Sequence, residues 1–412
     1  MVKVQTLKGF RDFLPKEAKK RQYVINTLKS VFESYGFEPL ETPALEYEEV
    51  LLGKYGEEGD KLMYRFVDNG DRKVALRYDQ TVPTARVVAQ YQNELPMPFK
   101  RYQIQPVWRA ENTQKGRFRE FLQCDADIVG STSPLSDAEV IAVAGKSVEA
   151  LGFKKYKIII NDRTVFVNIS KEAITTIDKL KKIGREKVID ELVSKGIAKT
   201  PSDAASILSS IEGKAETERI KKIFSSLEKL GVEKSTYEFS PTLARGLDYY
   251  TGLIFEIEID GYTAGSVCGG GRYDELIGMF AGRDIPAVGF AFGFDRLMEA
   301  MDELKLFPDD LQTTKVLVTV FSKELLEKSL EISSQLRSNN INCELYLNEN
   351  TPLEKQLKYA DQKSIPYAVI IGPEETKNNT VTLRNMKSRT QEILSISSLV
   401  ENVAAPSATD SF

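Results

Sequence analysis

Arginines mark the segments of this chain that could do chemistry. Between residues 100 and 120, six basic side chains (Lys100, Arg101, Arg109, Lys115, Arg117 and Arg119) outnumber the two acidic ones, Glu111 and Glu120. The order is Arg109-x-Glu111, a polar loop, then RFREF at 117–121, so guanidinium groups cluster at a turn with the aromatic Phe121 just beyond. A fixed guanidinium stabilises charge that develops at phosphorus without reorganising, and an aromatic ring can stack on a base. Composition alone fits a solvated charged turn as well. A second candidate is GFAFGFDRLMEAM at 289–301, where Gly289 and Gly293 let a ligand approach the backbone and Arg296 falls on the first turn of the next helix. Taken by itself, an ordinary strand–helix corner with a surface arginine fits that segment equally. The chain contains no histidine, which removes the usual general base, the commonest zinc ligand and the usual activator of a nucleophile. Any chemistry must rest on Arg, Lys, Asp, Glu, Tyr, a bound metal or the substrate itself. Cys124, Cys268 and Cys343 are odd in number and far apart, against a disulfide framework or a thiolate zinc site. No fixed protein metal site is expected. The Gly-rich run at Cys268–Arg272 is not a P-loop, since no G-K-[ST] follows.

Elements able to position these groups can be read from periodicity. Residues 16–35 carry Val24, Leu28, Val31 and Phe32 at helical spacing, closed by Gly36. Pro39 and Pro43 then enforce an extended connection. Strands are expected at 62–67 and 73–77, as a hairpin around Asn69–Asp71, and at 99–108, 118–129, 155–160, 253–259 and 286–292, with a helix from about Asp295. Residues 171–235 read as Lys/Glu-rich helices broken at Thr200-Pro201-Ser202 and Gly213, either a functional insertion or a solvated spacer. From about residue 314 strands and helices alternate, predicting a separate α/β domain with a largely parallel sheet. The small polar tail at 405–412 is expected to be disordered.

At 412 residues the chain is long enough for about two to three domains. Its 42% hydrophobic and 28% charged residues suit a soluble globular protein. The net charge of −4 offers a polyanion no general attraction, so RNA would have to meet a local basic surface. The N-terminal segment lacks an apolar signal region, and no run approaches the ~18 apolar residues of a membrane span. A cytoplasmic protein without membrane contact is expected.

In sequence, the R-x-E, loop and RFREF order resembles motif 2 of class II aminoacyl-tRNA synthetases, and 289–301 resembles their motif 3. The segment around Pro43 resembles motif 1, the dimer-forming element. LARGLDYYTG at 243–252 and GSVCGGGRYDELIG at 265–278 resemble the two signature motifs of histidyl-tRNA synthetases, and LRYDQTVPTAR at 76–86 their ammonium-binding segment. The likeness runs from about Leu7 through the C-terminal domain. It implies an α+β class II catalytic core, with a mixed and mainly antiparallel sheet flanked by helices, a helical insertion and a C-terminal α/β anticodon-binding domain. The boundaries it implies are 1–169 and 237–308 for the core, 170–236 for the insertion and 314–404 for the last domain. The implied activity is histidine–tRNA ligation: histidine and ATP form histidyl-adenylate, and the histidyl group passes to the 3′ end of histidine tRNA.

Roles carried over from the resemblance fall as follows. Arg109, Arg245, Arg296 and Gln123 form the catalytic set, and Arg109, Glu111, Arg117, Phe121 and Arg296 bind ATP. Asp79, Thr81, Gln123, Asp127, Arg245, Tyr249, Tyr250 and Gly270 bind histidine, with Asp127 and Tyr250 on the imidazole nitrogens and Asp79, Thr81 and Gln123 on the α-ammonium. Many bacterial members have Glu where this chain has Asp79 and Asp127. Gly271 is expected to let the backbone close over substrate, and Arg272 and Tyr273 to support the pocket. Gln114 and Arg117 are candidates for tRNA contact. The implied cofactors are ATP with its bound Mg²⁺, and the implied partners are histidine, histidine tRNA and a second copy in a homodimer. A catalytically inactive regulatory or histidine-sensing relative is the alternative; such proteins lose the signature residues and lack the C-terminal domain.

Overall fold

Period-two patterning builds the larger of two units. In FLQCDADIV, Leu122, Cys124, Ala126 and Ile128 alternate with Phe121, Gln123, Asp125 and Asp127, and in AVGFAFG, Val288, Phe290 and Phe292 alternate with Gly289, Ala291 and Gly293. Successive side chains of a strand point to opposite faces, so one face is apolar and the other is polar and shallow. The computed structural model describes residues 3–53, 60–112, 117–245 and 249–404. In it these segments are the strands Glu120–Val129 and Ala287–Gly293, paired antiparallel with Gln123 opposite Gly293, Asp125 opposite Ala291 and Asp127 opposite Gly289.

Among the described residues, eight strands form this sheet, in the order Glu38–Pro39, Phe99–Trp108, Glu120–Val129, Ala287–Gly293, Cys268–Arg272, Leu253–Ile259, Tyr156–Asp162, Tyr237–Phe239. Pairing is antiparallel except at the two short edge strands, which run parallel to their neighbours. The sheet is therefore mixed and mainly antiparallel, as expected. Its apolar face carries Cys124, Ala126, Ile128, Phe255, Ile257, Phe290 and Phe292, packed in one core with the helices Pro15–Ser34 and Pro134–Ala150. The first helix buries Val24, Leu28, Val31 and Phe32, the stripe read from its spacing. The second is capped by Ser133, whose hydroxyl accepts the Leu135 N–H at 3.2 Å. Each buried Phe or Leu side chain contributes roughly 1.5–3 kcal/mol. The expected hairpin is present as Arg65–Val67 and Lys73–Leu76, completed to three strands by Leu45–Tyr47. Cys268–Arg272, read from sequence only as a Gly-rich run, is a central strand.

At Asp162 the chain leaves the sheet, and it returns near Thr217. The Thr217 hydroxyl donates to Asp162 Oδ2 at 3.0 Å, and Asp162 Oδ1 accepts the Thr164 N–H at 3.0 Å, so the start and end of the excursion are clasped by one carboxylate. Helices Lys171–Ile177, Arg185–Ser194 and Pro201–Glu212 bury Ile177, Val188, Leu192, Leu208 and Ile211 in a cluster that also holds Tyr250 and Ile254. Thr200 opens the last of these with a capping box to Asp203. Helix Glu218–Lys229 behaves differently: Ile220, Ile223 and Leu227 join the core of the main sheet. The segment expected at 170–236 as one insertion thus divides, with its final helix built into the body.

From Pro308 a second compact unit follows. Strands Val316–Val318, Cys343–Leu345 and Tyr367–Ile370 are parallel, and Thr380–Asn385 and Gln391–Ser395 extend the sheet antiparallel. The sheet is therefore mixed rather than largely parallel. The added strands are rich in polar residues, which hid them from a hydrophobicity-based reading. The tail at 405–412 lies outside the described residues. No described helix is long and apolar enough to cross a membrane.

One buried charge ties three elements of the larger unit. Asp137, fully buried in helix Pro134–Ala150, accepts from Arg272 Nη2 at 2.5 Å and Nε at 2.9 Å and from Arg219 Nε at 2.7 Å. Removing one partner of such a group leaves charge uncompensated in the interior, at a cost of about 3–5 kcal/mol. Asp137→Ala is expected to lose that much stability in urea unfolding followed by the fluorescence of Trp108, the only tryptophan. Asp137→Asn, which keeps an acceptor, is expected to lose less. A loss below about 1 kcal/mol for the alanine variant would remove Asp137 as an organising charge.

Candidate active site

The polar face of the sheet becomes a trough because its middle strands carry almost no side chains there. Gly289, Ala291 and Gly293 on one strand and Gly269 on the next form the floor. Glycine is required at two of these positions by close approach: a Cβ on Gly289 would stand 1.8 Å from Asp127 Oδ1, and one on Gly269 1.8 Å from Arg245 Nη1. Side chains of the flanking strands rise on either side, Gln123, Asp125 and Asp127 from one and Glu256 from the other. The resulting cavity holds about 400 Å³.

Three arginines reach this cavity from different elements. Arg109, just past strand Phe99–Trp108, donates from Nε to the Tyr78 carbonyl at 3.2 Å, and its guanidinium lies 4.3 Å from the Tyr78 ring centroid and 5.1 Å from that of Phe121. Arg245 pairs with Glu256 at 2.7 Å. Arg296, on the first turn of helix Phe294–Glu303, donates to the Ser266 carbonyl at 2.8 Å. Each is held by a neutral carbonyl or a single carboxylate, which leaves guanidinium N–H groups and net positive charge for an anion.

The other side of the cavity is acidic and phenolic. Asp127 is 3% exposed; its Oδ2 stands 2.5 Å from Arg101 Nη2, and its Oδ1 accepts from the Tyr273 hydroxyl. Burial raises the Asp127 carboxyl above its ordinary range, against the pull of Arg101 and Tyr273. The Tyr250 ring lies tilted against that of Tyr249 at 4.8 Å between centroids, and burial raises both phenols, so both are protonated near pH 7. Asp79 and Thr81 enter from the start of helix Thr81–Gln90, where Asp79 Oδ1 accepts the Val82 N–H at 3.1 Å.

Of the residues singled out from sequence, Arg109, Arg245, Arg296, Phe121, Gln123, Asp79, Thr81, Asp127, Tyr249 and Tyr250 all line this one cavity. Gly270 does not: alternation turns it to the apolar face, where a Cβ would meet the Gly289 carbonyl at 2.5 Å and the Phe255 ring at 2.6 Å, and Gly269 occupies the floor. Glu111 and Arg117 are also outside the lining, paired with each other at 3.3 Å. Gln114 lies outside the described residues. Asp125 and Glu256 belong to the site but were not singled out from the sequence, and Arg101 was named there only as one of a basic cluster. For Asp125 the signal was present, since it shares the period-two face of Gln123 and Asp127. Glu256 and Arg101 become visible only through strand pairing, which one sequence does not reveal.

Comparison with known proteins agrees with this geometry. A family model described as histidyl-tRNA synthetase matches residues 9–297, and one described as anticodon binding domain matches residues 315–405. A histidine–tRNA ligase from Cytophaga hutchinsonii is 40% identical, over 95% of this chain and 97% of the relative. One from Gloeobacter violaceus is 41% identical, over 98% and 99%. The crystal structure of histidyl-tRNA synthetase from Nostoc sp. PCC 7120 superposes with a TM-score of 0.86 at 32% identity, over 98% of this chain and 99% of that one. With the family model covering most of the chain and relatives about 40% identical over nearly all of it, the chain belongs to the histidyl-tRNA synthetase family.

Proposed function

We propose that the protein is a histidine–tRNA ligase, which activates histidine with ATP and transfers it to the 3′ end of histidine tRNA. The observation that carries this reading is the single cavity in which Arg109, Arg245 and Arg296 face Asp127 and Tyr250. A cage of guanidinium groups suits a nucleotide. Neutral imidazole offers one donor and one acceptor, which a fixed carboxylate and a protonated phenol complement.

In the first step the histidine carboxylate attacks the α-phosphorus of ATP, the bond to the β-phosphate oxygen breaks, and pyrophosphate leaves. Mg²⁺ enters with the triphosphate as part of the substrate and neutralises part of its charge. Arg109 and Arg245 stabilise the α-phosphate and Arg296 the γ-phosphate, while Phe121 stacks on the adenine. Asp79, Thr81 and Gln123 hold the α-ammonium. Such a step depends on positioning and electrostatics more than on proton transfer. In the second step the terminal ribose hydroxyl attacks the acyl carbon, and AMP leaves. With no histidine in the chain, a phosphate oxygen of the adenylate itself takes the hydroxyl proton. Discrimination by buried polar groups reaches ~10⁴-fold or more, so the pocket requires no editing site.

For tRNA, the segment Asn112–Arg119 approaches the acceptor end, with Arg117 exposed in it, and Gln114 is its companion. The unit from Pro308 reads the anticodon, and the excursion between Asp162 and Thr217 meets the acceptor stem. Two copies assemble through the three-stranded sheet, a reading supported by the exposed apolar side chains of Leu45, Tyr47, Phe66 and Val67. The cytoplasm is its place of action.

ATP–pyrophosphate exchange across all twenty amino acids tests the assignment. Histidine alone is expected to support exchange; no exchange with any amino acid would instead identify a sensing or regulatory protein. Arg245→Ala is expected to lower the exchange rate by roughly 10²–10³-fold with the unfolding midpoint little changed. Tyr250→Phe is expected to raise the KM for histidine about tenfold, the worth of one buried hydrogen bond, with the KM for ATP little changed. Sedimentation equilibrium is expected to give twice the chain mass of 46.3 kDa, and a charge introduced by Phe66→Glu to shift it toward one.

A further inference from the structure

One acidic side chain in the cavity is left over from the roles above. Asp125 lies midway along the strand face that carries Gln123 and Asp127, opposite Ala291 on the floor, and is 2% exposed. Its Oδ1 has no hydrogen-bond partner among the described residues. Two positions away, Gln123 Oε1 is in the same condition. Both acceptors line the cavity, and alternate residues of a strand stand about 6.5–7 Å apart, so one compact group with several N–H donors can meet both.

The surroundings narrow what that group is. Asp127 is engaged by Arg101 and Tyr273, and Asp79 caps Val82, whereas Asp125 makes no ion pair among the described residues. The charged groups that act on it are Arg101 and Arg109, which favour its ionised form, and Asp127 and Asp79, which oppose it. Burial outweighs these and pushes its carboxyl well above the ordinary range. Among the described residues no cation is paired with this carboxylate, and the cavity it faces has room for one. On its strand face Asp125 stands between Asp127 and Gln123, the latter read as meeting the ammonium.

We propose that Asp125 is a substrate-binding residue whose carboxylate accepts a hydrogen bond from the substrate's α-ammonium and balances its charge, sharing that group with Gln123. This rests on the reading of the cavity as a histidine site. An ammonium is the one substrate group that brings three donors and a full positive charge; one N–H directed between Asp125 and Gln123 reaches both unpartnered oxygens and leaves two for Asp79 and Thr81. The imidazole ring, with a single donor in its neutral form, cannot do both.

The test compares two probes by isothermal titration calorimetry on the full chain: L-histidine, and 3-(imidazol-4-yl)propionate, which lacks only the ammonium. Asp125→Asn keeps the volume and removes the charge, and Asp125→Ser removes both; either is used if its unfolding midpoint matches the parent. Loss of a hydrogen bond to a charged group is expected to weaken histidine roughly 10- to 100-fold, while the propionate binds within about twofold of its affinity for the parent. Equal weakening of both probes would assign Asp125 to the ring and overturn the proposal, as would unchanged binding of histidine. Failure of the parent chain to bind histidine would instead sink the functional reading itself.

Discussion

Two charged side chains lie against bare backbone, and the rest of the site depends on that contact. Asp127 crosses over Gly289 and Arg245 over Gly269, each with no room for a Cβ beneath it. The floor of the trough is therefore main chain, fixed by strand pairing rather than by side-chain rotamers. Alternation ensures that the same strands carry Phe290, Phe292 and Phe255 on their other face, so the residues that empty one side of the sheet are interleaved with those that fill the other. Catalytic shape and core packing are two readings of one pattern.

The buried charges follow the same logic of paired faces. On the cavity side, Arg101 and Tyr273 converge on Asp127. On the opposite side, Arg272, the residue before Tyr273, reaches Asp137 together with Arg219. Consecutive residues of one segment thus anchor carboxylates on both faces of the sheet. Ion pairs of this kind contribute little net stability over apolar residues of the same size. What they provide here is orientation: the Tyr273 hydroxyl donates to one Asp127 oxygen and the Arg101 guanidinium stands beside the other.

Much of this was legible in the sequence, and the omissions have physical reasons. The strands at 99–108, 253–259 and 286–292 and the first helix announce themselves by periodicity, because each has one face in the core. The strand Cys268–Arg272 does not, since three glycines give it no hydrophobic signal; the bulk that shields it belongs to its neighbours. The antiparallel pair at 380–385 and 391–395 escaped for a related reason, its second strand being mostly exposed. In the site, residues that act as single charged groups within recognisable motifs were readable. Arg101 and Glu256 were not, because their importance comes from the strand lying next to theirs. Gly270 lies on the apolar face and Gly269 on the cavity face; nothing in a run of like residues says which of them faces up.

The clasp at Asp162 bears on how this protein can vary. Because the ends of the excursion meet at one carboxylate, the sheet is indifferent to how much chain lies between them, and doubling a loop's length adds only about 0.6 kcal/mol of closure entropy. The base of the excursion has no such freedom, since its apolar cluster includes Tyr250 and Ile254. Natural variants should therefore differ freely in the length and outer surface of this stretch, while the side chains that back the substrate tyrosine drift slowly and together.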